Sequence, residues 1–231
     1  MDMKQQGLFI TGTNTDVGKT YVGQLLVRSL SQQAIKVRVR KPVESGWPAK
    51  DKEHKTDTAL LARAAGYRDA LQVICPNPLK TAVSPTRAAA LESKTLSVAM
   101  LKQQCLIGIN ADDFLYVEGA GGFYSPLASD GLNADLAQQL ALPILLVADD
   151  KIGCINQVLL NLDAIAKYGL QVVAVVLNQI TDAAKNEAMN NSEELAAYTT
   201  IPIFSIAYRQ RVFPQELLRL MISSDVSCKR N

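Results

Sequence analysis

Short apolar runs alternate along the chain with stretches in which apolar side chains recur every three to four positions. The runs fall at residues 8–11, 37–43, 71–74, 114–117, 144–148, 172–177 and 203–206. Runs of this kind suit strands that are buried on both faces. Most gaps between them carry the helical period, at residues 19–32, 56–65, 96–108, 134–140, 155–168 and 183–199. Strands separated by helices predict a parallel sheet joined by right-handed crossovers. The expected fold class is therefore α/β, a three-layer sandwich around a mostly parallel central sheet. Ligands in such folds bind beyond the carboxyl ends of the strands. No Gly-, Pro- or Ser-rich linker and no internal repeat divides the chain, so residues 1–231 are read as one domain. Residues 1–6 and the polar tail 223–231 lack period and are expected to be flexible.

The first run leads into Gly12-Thr-Asn-Thr-Asp-Val-Gly18-Lys19-Thr20, and a helical pattern follows. Strand, glycine loop, Gly-Lys-Thr and helix, in that order, make a phosphate-binding loop. Backbone N–H groups in such a loop converge on phosphate oxygens, and the helix N-terminus adds its dipole. Lys19 reaches the β- and γ-phosphates, and the Thr20 hydroxyl suits Mg²⁺. The fold is thus of the P-loop NTPase type, and a nucleoside triphosphate with Mg²⁺ is the expected ligand. Five residues, Thr13 to Val17, separate the glycines where the usual pattern has four.

Composition narrows the partners. Hydrophobic residues make up 48 % and charged residues 20 % of the 231, enough for a sizeable core. The net charge of +2 argues against nucleic acid as a partner. No apolar stretch reaches membrane-spanning length, and the N-terminus does not read as a signal peptide, so a cytoplasmic location is expected. The cysteines are Cys75, Cys105, Cys154 and Cys228, with no CxxC pair. They are expected to be reduced thiols rather than zinc ligands. The one histidine, His54, lies in a charged stretch and reads as an exposed loop residue.

Further candidates stand at predicted strand ends. Lys41, in Lys41-Pro-Val-Glu-Ser-Gly46, reads either as a solvated lysine before a turn or as a cation for a transferred phosphoryl group or a carboxylated amine. Asp57 opens a helix, which fits either the helix dipole or a Mg²⁺ ligand. Glu118 ends an apolar strand, in the position from which a carboxylate approaches the metal of a bound triphosphate. Gly119, Ala120, Gly121 and Gly122 follow it, letting backbone come close to a ligand. Free N–H groups near Gly153-Cys-Ile-Asn156 can hold an anion, while Asn156 equally reads as a cap or an exposed polar residue. Asn178 ends a strand with an amide able to read a purine.

Taken together, these segments resemble the dethiobiotin synthetases. The resemblance rests on residues 11–20, Lys41-Pro-Val-Glu-Ser-Gly46, Asp57, Val117-Glu-Gly-Ala-Gly-Gly122, Pro126-Leu127, Leu142-Pro143, Gly153-Cys-Ile-Asn156 and Asn178. It implies an ATP-dependent ligase that converts 7,8-diaminopelargonate and CO₂ to dethiobiotin, through a carbamate and a carbamic-phosphoric anhydride. Thr20, Asp57 and Glu118 would hold Mg²⁺. Asp16, Val17, Gly18, Lys19, Thr20 and Tyr21 would wrap the triphosphate, with Gly119, Ala120 and Gly121 nearby. Lys19 and Lys41 would stabilise phosphoryl and carbamate charge, and Thr15 and Ser45 would contact the diamine. Asn178 and Gln179 would meet the adenine, with Ile206, Ala207 and Tyr208 in place of the family's nucleotide-contacting run. The chain departs from the family pattern at Gln179, where an acid is common, and over residues 204–209. The resemblance also implies a homodimer with active sites at the interface, in which Gly153, Cys154, Ile155 and Asn156 serve the partner's substrate carboxylate.

Two other readings share the loop. A ligase like cobyrinate synthetase requires a glutamine-hydrolysing domain with a Cys–His pair, for which this chain is too short. A partition-type ATPase switch carries an extra lysine early in the loop, where this chain has Thr13 and Asn14.

Overall fold

The computed structural model describes residues 6–67, 71–182 and 189–222. Residues 1–5, 183–188 and 223–231, on which the expected flexible ends and part of the expected helix 183–199 fall, lie outside the described residues. The elements run β1 (Gly7–Gly12), α1 (Lys19–Gln32), β2 (Val37–Arg40), β3 (Val43–Ser45), a 3-10 helix (Lys50–Lys55) and α2 (Asp57–Ala64). There follow α3 (Leu71–Ile74), β4 (Asn77–Leu79), α4 (Pro85–Leu91), α5 (Val98–Leu106), β5 (Phe114–Gly122), β6 (Pro126–Ala128), β7 (Gly131–Leu132) and α6 (Asn133–Leu140). The last are β8 (Ile144–Asp149), α7 (Cys154–Lys167), β9 (Val172–Asn178), α8 (Asn191–Ala196), β10 (Ile203–Ile206) and α9 (Gln215–Ile222).

Six strands form one parallel sheet in the order β10-β9-β8-β1-β5-β2. Side chains alternate across it, as period two requires. Phe9, Leu115, Val117, Leu146 and Val175 enter the core on one face. Leu8, Ile10, Tyr116, Val147 and Val176 enter the core on the other, beside α1, α2 and α9. Burial on both faces is what makes these strands read as continuous apolar runs. The three-layer α/β sandwich is the expected one.

Two expected strands differ. The run 37–43 breaks into β2 and β3 at Lys41-Pro42. The Lys41 N–H leaves the sheet and donates to the Ile74 carbonyl at 2.8 Å, and Pro42 has no N–H to continue a ladder. The run 71–74 is the short helix α3. Of its residues only Ile74 is buried, a pattern of one turn rather than of a doubly buried strand, and four residues are too few for periodicity to discriminate. The sequence reading also omitted β3, β4, β6, β7, α4 and α9, most of them too short to carry a period. His54 is exposed as expected, within the 3-10 helix. Cys75, Cys105 and Cys154 are free and buried. Among the described residues no helix is long and apolar enough to cross a membrane.

Asp113 fixes the entry to β5. Its buried carboxylate meets Lys36 and Arg38, each at 3.0 Å, and accepts the Asn110 N–H at 2.9 Å. Burial acts to raise its carboxyl, but the Asn110 N–H, Lys36 and Arg38 outweigh it and hold the carboxyl well below the usual carboxylate range. A depressed carboxyl contributes stability that is present above the unfolded value, about 3.9, and is lost as pH falls through the folded value. Lys36 is half exposed and screened by solvent, so the contribution is about 1 kcal/mol. Asp113→Asn is expected to lower urea-denaturation stability by that amount at pH 7, with the difference shrinking below pH 4. An equal difference at both pH values would contradict this account.

Candidate functional site

The site forms at the carboxyl ends of β1, β2, β5 and β8. After β1 the chain turns through residues 13–18 into α1. Gly18 is the N-cap at φ 87°, a left-handed conformation that glycine adopts without strain. A Cβ there would also collide with the Asn178 amide nitrogen. Lys19 is buried, and its ammonium donates to the Asn14 carbonyl across the loop at 3.0 Å. Burial first, then the nearby charge of Lys41, lowers its pKa to about 8, against the pull of Glu118 and Asp57.

Four expected residues converge beside this loop. Lys41 sits just past β2, nearly sealed from solvent. Its ammonium bridges Glu118 Oε1 at 2.8 Å and Asp57 Oδ2 at 3.2 Å. The Thr20 hydroxyl, one residue into α1, donates to the same Glu118 Oε1 at 2.7 Å. Burial alone would lower the Lys41 pKa, but Glu118, Asp57 and Glu44 raise it above the ordinary lysine value, so Lys41 stays charged. Burial acts to raise the Asp57 carboxyl, and Lys41, Thr20 and Lys19 together bring it below its usual range.

The donor set fits Mg²⁺. It consists of two carboxylates and a hydroxyl, and Mg²⁺ takes one or two carboxylates and fills its remaining positions with phosphate oxygens and water. Among the described residues no group of three or more His, Cys, Asp or Glu is arranged to hold a metal. A cation here would thus depend on the nucleotide to complete its shell. Buried polar atoms also suit a nucleotide. Thr11 Oγ1, Thr13 Oγ1 and Asn178 Oδ1 have no hydrogen-bond partner among the described residues, and such atoms are costly unless a ligand satisfies them. Asn178 Nδ2 meanwhile donates to the Val17 carbonyl at 3.0 Å, so its amide is oriented by the loop itself.

The other expected residues fall around this centre. Thr15 is exposed on the loop, near Gly121. Ser45 ends β3. Glu118, Gly119, Ala120 and Gly121 all lie within β5, which runs on to Gly122 where the sequence reading ended the strand at 117. Gln179 pairs through its N–H with the Ile206 carbonyl at 2.9 Å, which joins residues 178–179 to 206–208. The Ile206 side chain, however, lies in the core, so only its backbone is available to a ligand. Ala207 and Tyr208 stand outward of it, with the Arg209 guanidinium 4.9 Å from the Tyr208 ring centre. The Tyr21 hydroxyl donates to the Gln210 carbonyl and ties α1 to that segment. At the end of β8, Gly153 caps α7 at φ 88°. The Cys154 N–H is already taken by the Lys151 carbonyl at 3.0 Å and its side chain is buried. Of the expected anion-holding run, Gly153 and Asn156 are exposed and Ile155 is half-buried.

Sequence reading missed three side chains that shape the site. Glu44 accepts the Asp57 and Thr58 N–H groups at 2.9 and 3.0 Å, and so caps α2 beneath Asp57. Asn133 accepts the Ala120 N–H at 3.1 Å and donates to the Gly122 carbonyl at 3.0 Å, which staples the glycine segment. Tyr116 donates to Glu118. The acid at position 44 could have been noticed, since it lies inside a quoted motif. Asn133 carries no local signal.

A family model described as AAA domain matches residues 6–209. The ATP-dependent dethiobiotin synthetase BioD of Vesicomyosocius okutanii subsp. Calyptogena okutanii is 38 % identical over 201 residues, covering 86 % of this chain and 88 % of that relative. The protein of the same name from Methanococcus vannielii is 33 % identical over 217 residues, covering 92 % of this chain and 98 % of that relative. Among solved structures, signal recognition particle receptor FtsY from Elizabethkingia anophelis in complex with GDP aligns with a TM-score of 0.52 at 13 % identity. That alignment covers 96 % of this chain and 64 % of the receptor chain, and the likeness is one of fold.

Proposed function

Because the chain belongs to the ATP-dependent dethiobiotin synthetase family, we propose that it is the ligase that closes the ureido ring of dethiobiotin from 7,8-diaminopelargonate, CO₂ and ATP. The observation that carries this reading is the buried Lys41 ammonium beside the phosphate loop, held between Asp57 and Glu118. One amine of the substrate takes up CO₂ as a carbamate, and the carbamate oxygen accepts the γ-phosphoryl group to form a mixed anhydride. The second amine then attacks the carbonyl carbon and expels phosphate. Each step moves negative charge past fixed cations. Lys19 and Lys41 supply them, and the chemistry needs positioning and electrostatics rather than a protein nucleophile. Thr20, Asp57 and Glu118 would hold Mg²⁺, which neutralises triphosphate charge when bound. Residues 16–21 wrap the phosphates, Thr15 and Ser45 face the diamine, and Asn178 offers its free carbonyl oxygen to the adenine amino group, with residues 206–208 closing that side.

The same reading includes a homodimer. Ile152 is 83 %, Leu160 60 % and Tyr124 49 % exposed, and Tyr124 packs against Tyr168 at 5.9 Å between ring centres. Exposed apolar side chains of this kind on and around α7 suit a subunit interface. It would set residues 153–156 against the partner's substrate.

Mass spectrometry after incubation with ATP, Mg²⁺, bicarbonate and 7,8-diaminopelargonate tests the activity. The expected product is the diamine plus one carbonyl less two hydrogens, with one ADP and one phosphate per ring closed. ATP turnover at full rate without diamine would contradict the ligase reading.

A further inference from the structure

Glu118 is fully buried on β5, and its two oxygens face different partners. Oε1 takes Thr20 and Lys41, as described. Oε2 takes the Tyr116 hydroxyl, which donates at 2.8 Å. Tyr116 and Glu118 stand two apart on one strand and therefore share a face. They meet α1, which presents Thr20 and Gly23, three apart and so on one side of the helix. The pairing is complementary. Thr20 reaches one carboxylate oxygen, and the missing side chain at Gly23 leaves the notch that admits the tyrosine hydroxyl. A Cβ at Gly23 would collide with that hydroxyl and stand 3.2 Å from Leu61 Cδ2. Tyr116 has no exposed surface and lies inside the sheet, flanked by Leu8 on β1 and Val39 on β2.

We propose that Tyr116 is a positioning residue for the cation: by occupying Glu118 Oε2 it fixes the carboxylate so that Oε1 alone is presented to Thr20, Lys41 and the phosphate loop. The proposal rests on the reading that Glu118 holds the metal. Mg²⁺ demands near-ideal octahedral geometry, whereas Ca²⁺ accepts one or both oxygens of a carboxylate. A carboxylate tied at one oxygen therefore favours Mg²⁺. Removing the tie frees Glu118 to rotate and to offer both oxygens.

The test measures metal binding directly, using Mn²⁺ paramagnetic resonance on the full chain with a non-hydrolysable ATP analogue, and Mg²⁺ and Ca²⁺ as competitors. Tyr116→Phe removes one oxygen and no packing carbon, and circular dichroism verifies that the fold is kept. It is expected to weaken Mn²⁺ and Mg²⁺ binding about tenfold, the usual effect of losing a group that orients a metal ligand, and to weaken Ca²⁺ binding less. Glu118→Gln should weaken Mn²⁺ at least as much, and adding Tyr116→Phe to it should change binding less than twofold. If Glu118→Gln weakens Mn²⁺ while Tyr116→Phe leaves it unchanged, the proposal is overturned and the ligand assignment stands. If Tyr116→Phe acts equally with and without the Glu118 carboxylate, the hydroxyl does not work through Glu118 and the proposal is overturned. If Glu118→Gln leaves Mn²⁺ binding unchanged, the ligand assignment fails and the proposal falls with it.

Discussion

Lys19→Ala is expected to lower turnover by on the order of 10²–10³ without unfolding the protein. The ammonium lies buried in the phosphate loop, donates to the Asn14 carbonyl, and shares the site with Lys41. A fixed cation of that kind costs no reorganisation when charge develops on a transferred phosphoryl group. Loss of the side chain leaves the loop backbone in place, so the melting temperature should change far less than the rate. The same residue gives a pH signature. With its pKa lowered to about 8 by burial and by Lys41, the free protein loses the Lys19 charge as pH rises through that value. An anionic triphosphate favours the protonated form, so ATP affinity in the absence of diamine should weaken above pH 8. Lys19→Ala should flatten that limb. Steady-state kinetics within threefold of the parent, or an unchanged pH profile of ATP binding in the variant, would remove Lys19 from this role.

The parts of the site that were legible in the sequence are those whose signals are local. The loop from Gly12 to Thr20 is contiguous, and its order of strand, glycines and helix is dictated by one backbone function. Lys41, Asp57 and Glu118 were legible because each stands at the end of an element, where a parallel sheet gathers its ligand-binding groups. Residues 71–74 suggest a strand yet form α3, because Leu-Gln-Val-Ile is too short for its period to discriminate. Its true role is to place the Ile74 carbonyl against the Lys41 N–H, a contact no local pattern encodes. Tyr116 reads in the sequence as one more residue of an apolar strand, although its spacing from Glu118 puts the two on one face. What hid its hydroxyl was the dependence on Gly23, far away in sequence. Asn133 was hidden for the same reason, since it acts on backbone more than ten residues earlier. The segment 206–208 shows a subtler limit. The resemblance implies a nucleotide contact there, but period two alone does not say that Ile206 turns its side chain into the core.

The largest recovery of activity is expected from mixing two variants that are each inactive alone. In the proposed dimer every active site takes its phosphate loop from one chain and residues 153–156 from the other. The diamine is long, with both amines near one end and a carboxylate at the other, and so can extend from the loop toward a neighbouring subunit. Asn156 is exposed at the start of α7, next to the left-handed cap at Gly153 and beyond the exposed Ile152. Asn156→Asp would set a negative charge against the substrate carboxylate and offset the positive helix end that would otherwise attract it. Lys19→Ala disables only the loop of its own chain. In a mixed dimer one site then inherits both lesions and the other neither. Activity should rise from near zero in either homodimer to about half of the parent value per mixed dimer. Sedimentation should give a dimer, whose interface must exceed roughly 1,000 Å² in total to be stable in solution. The control is subunit exchange, followed with distinguishable tags. If exchange is complete and activity stays at the level of the separate variants, each site is contained in a single chain, and residues 153–156 do not serve the partner.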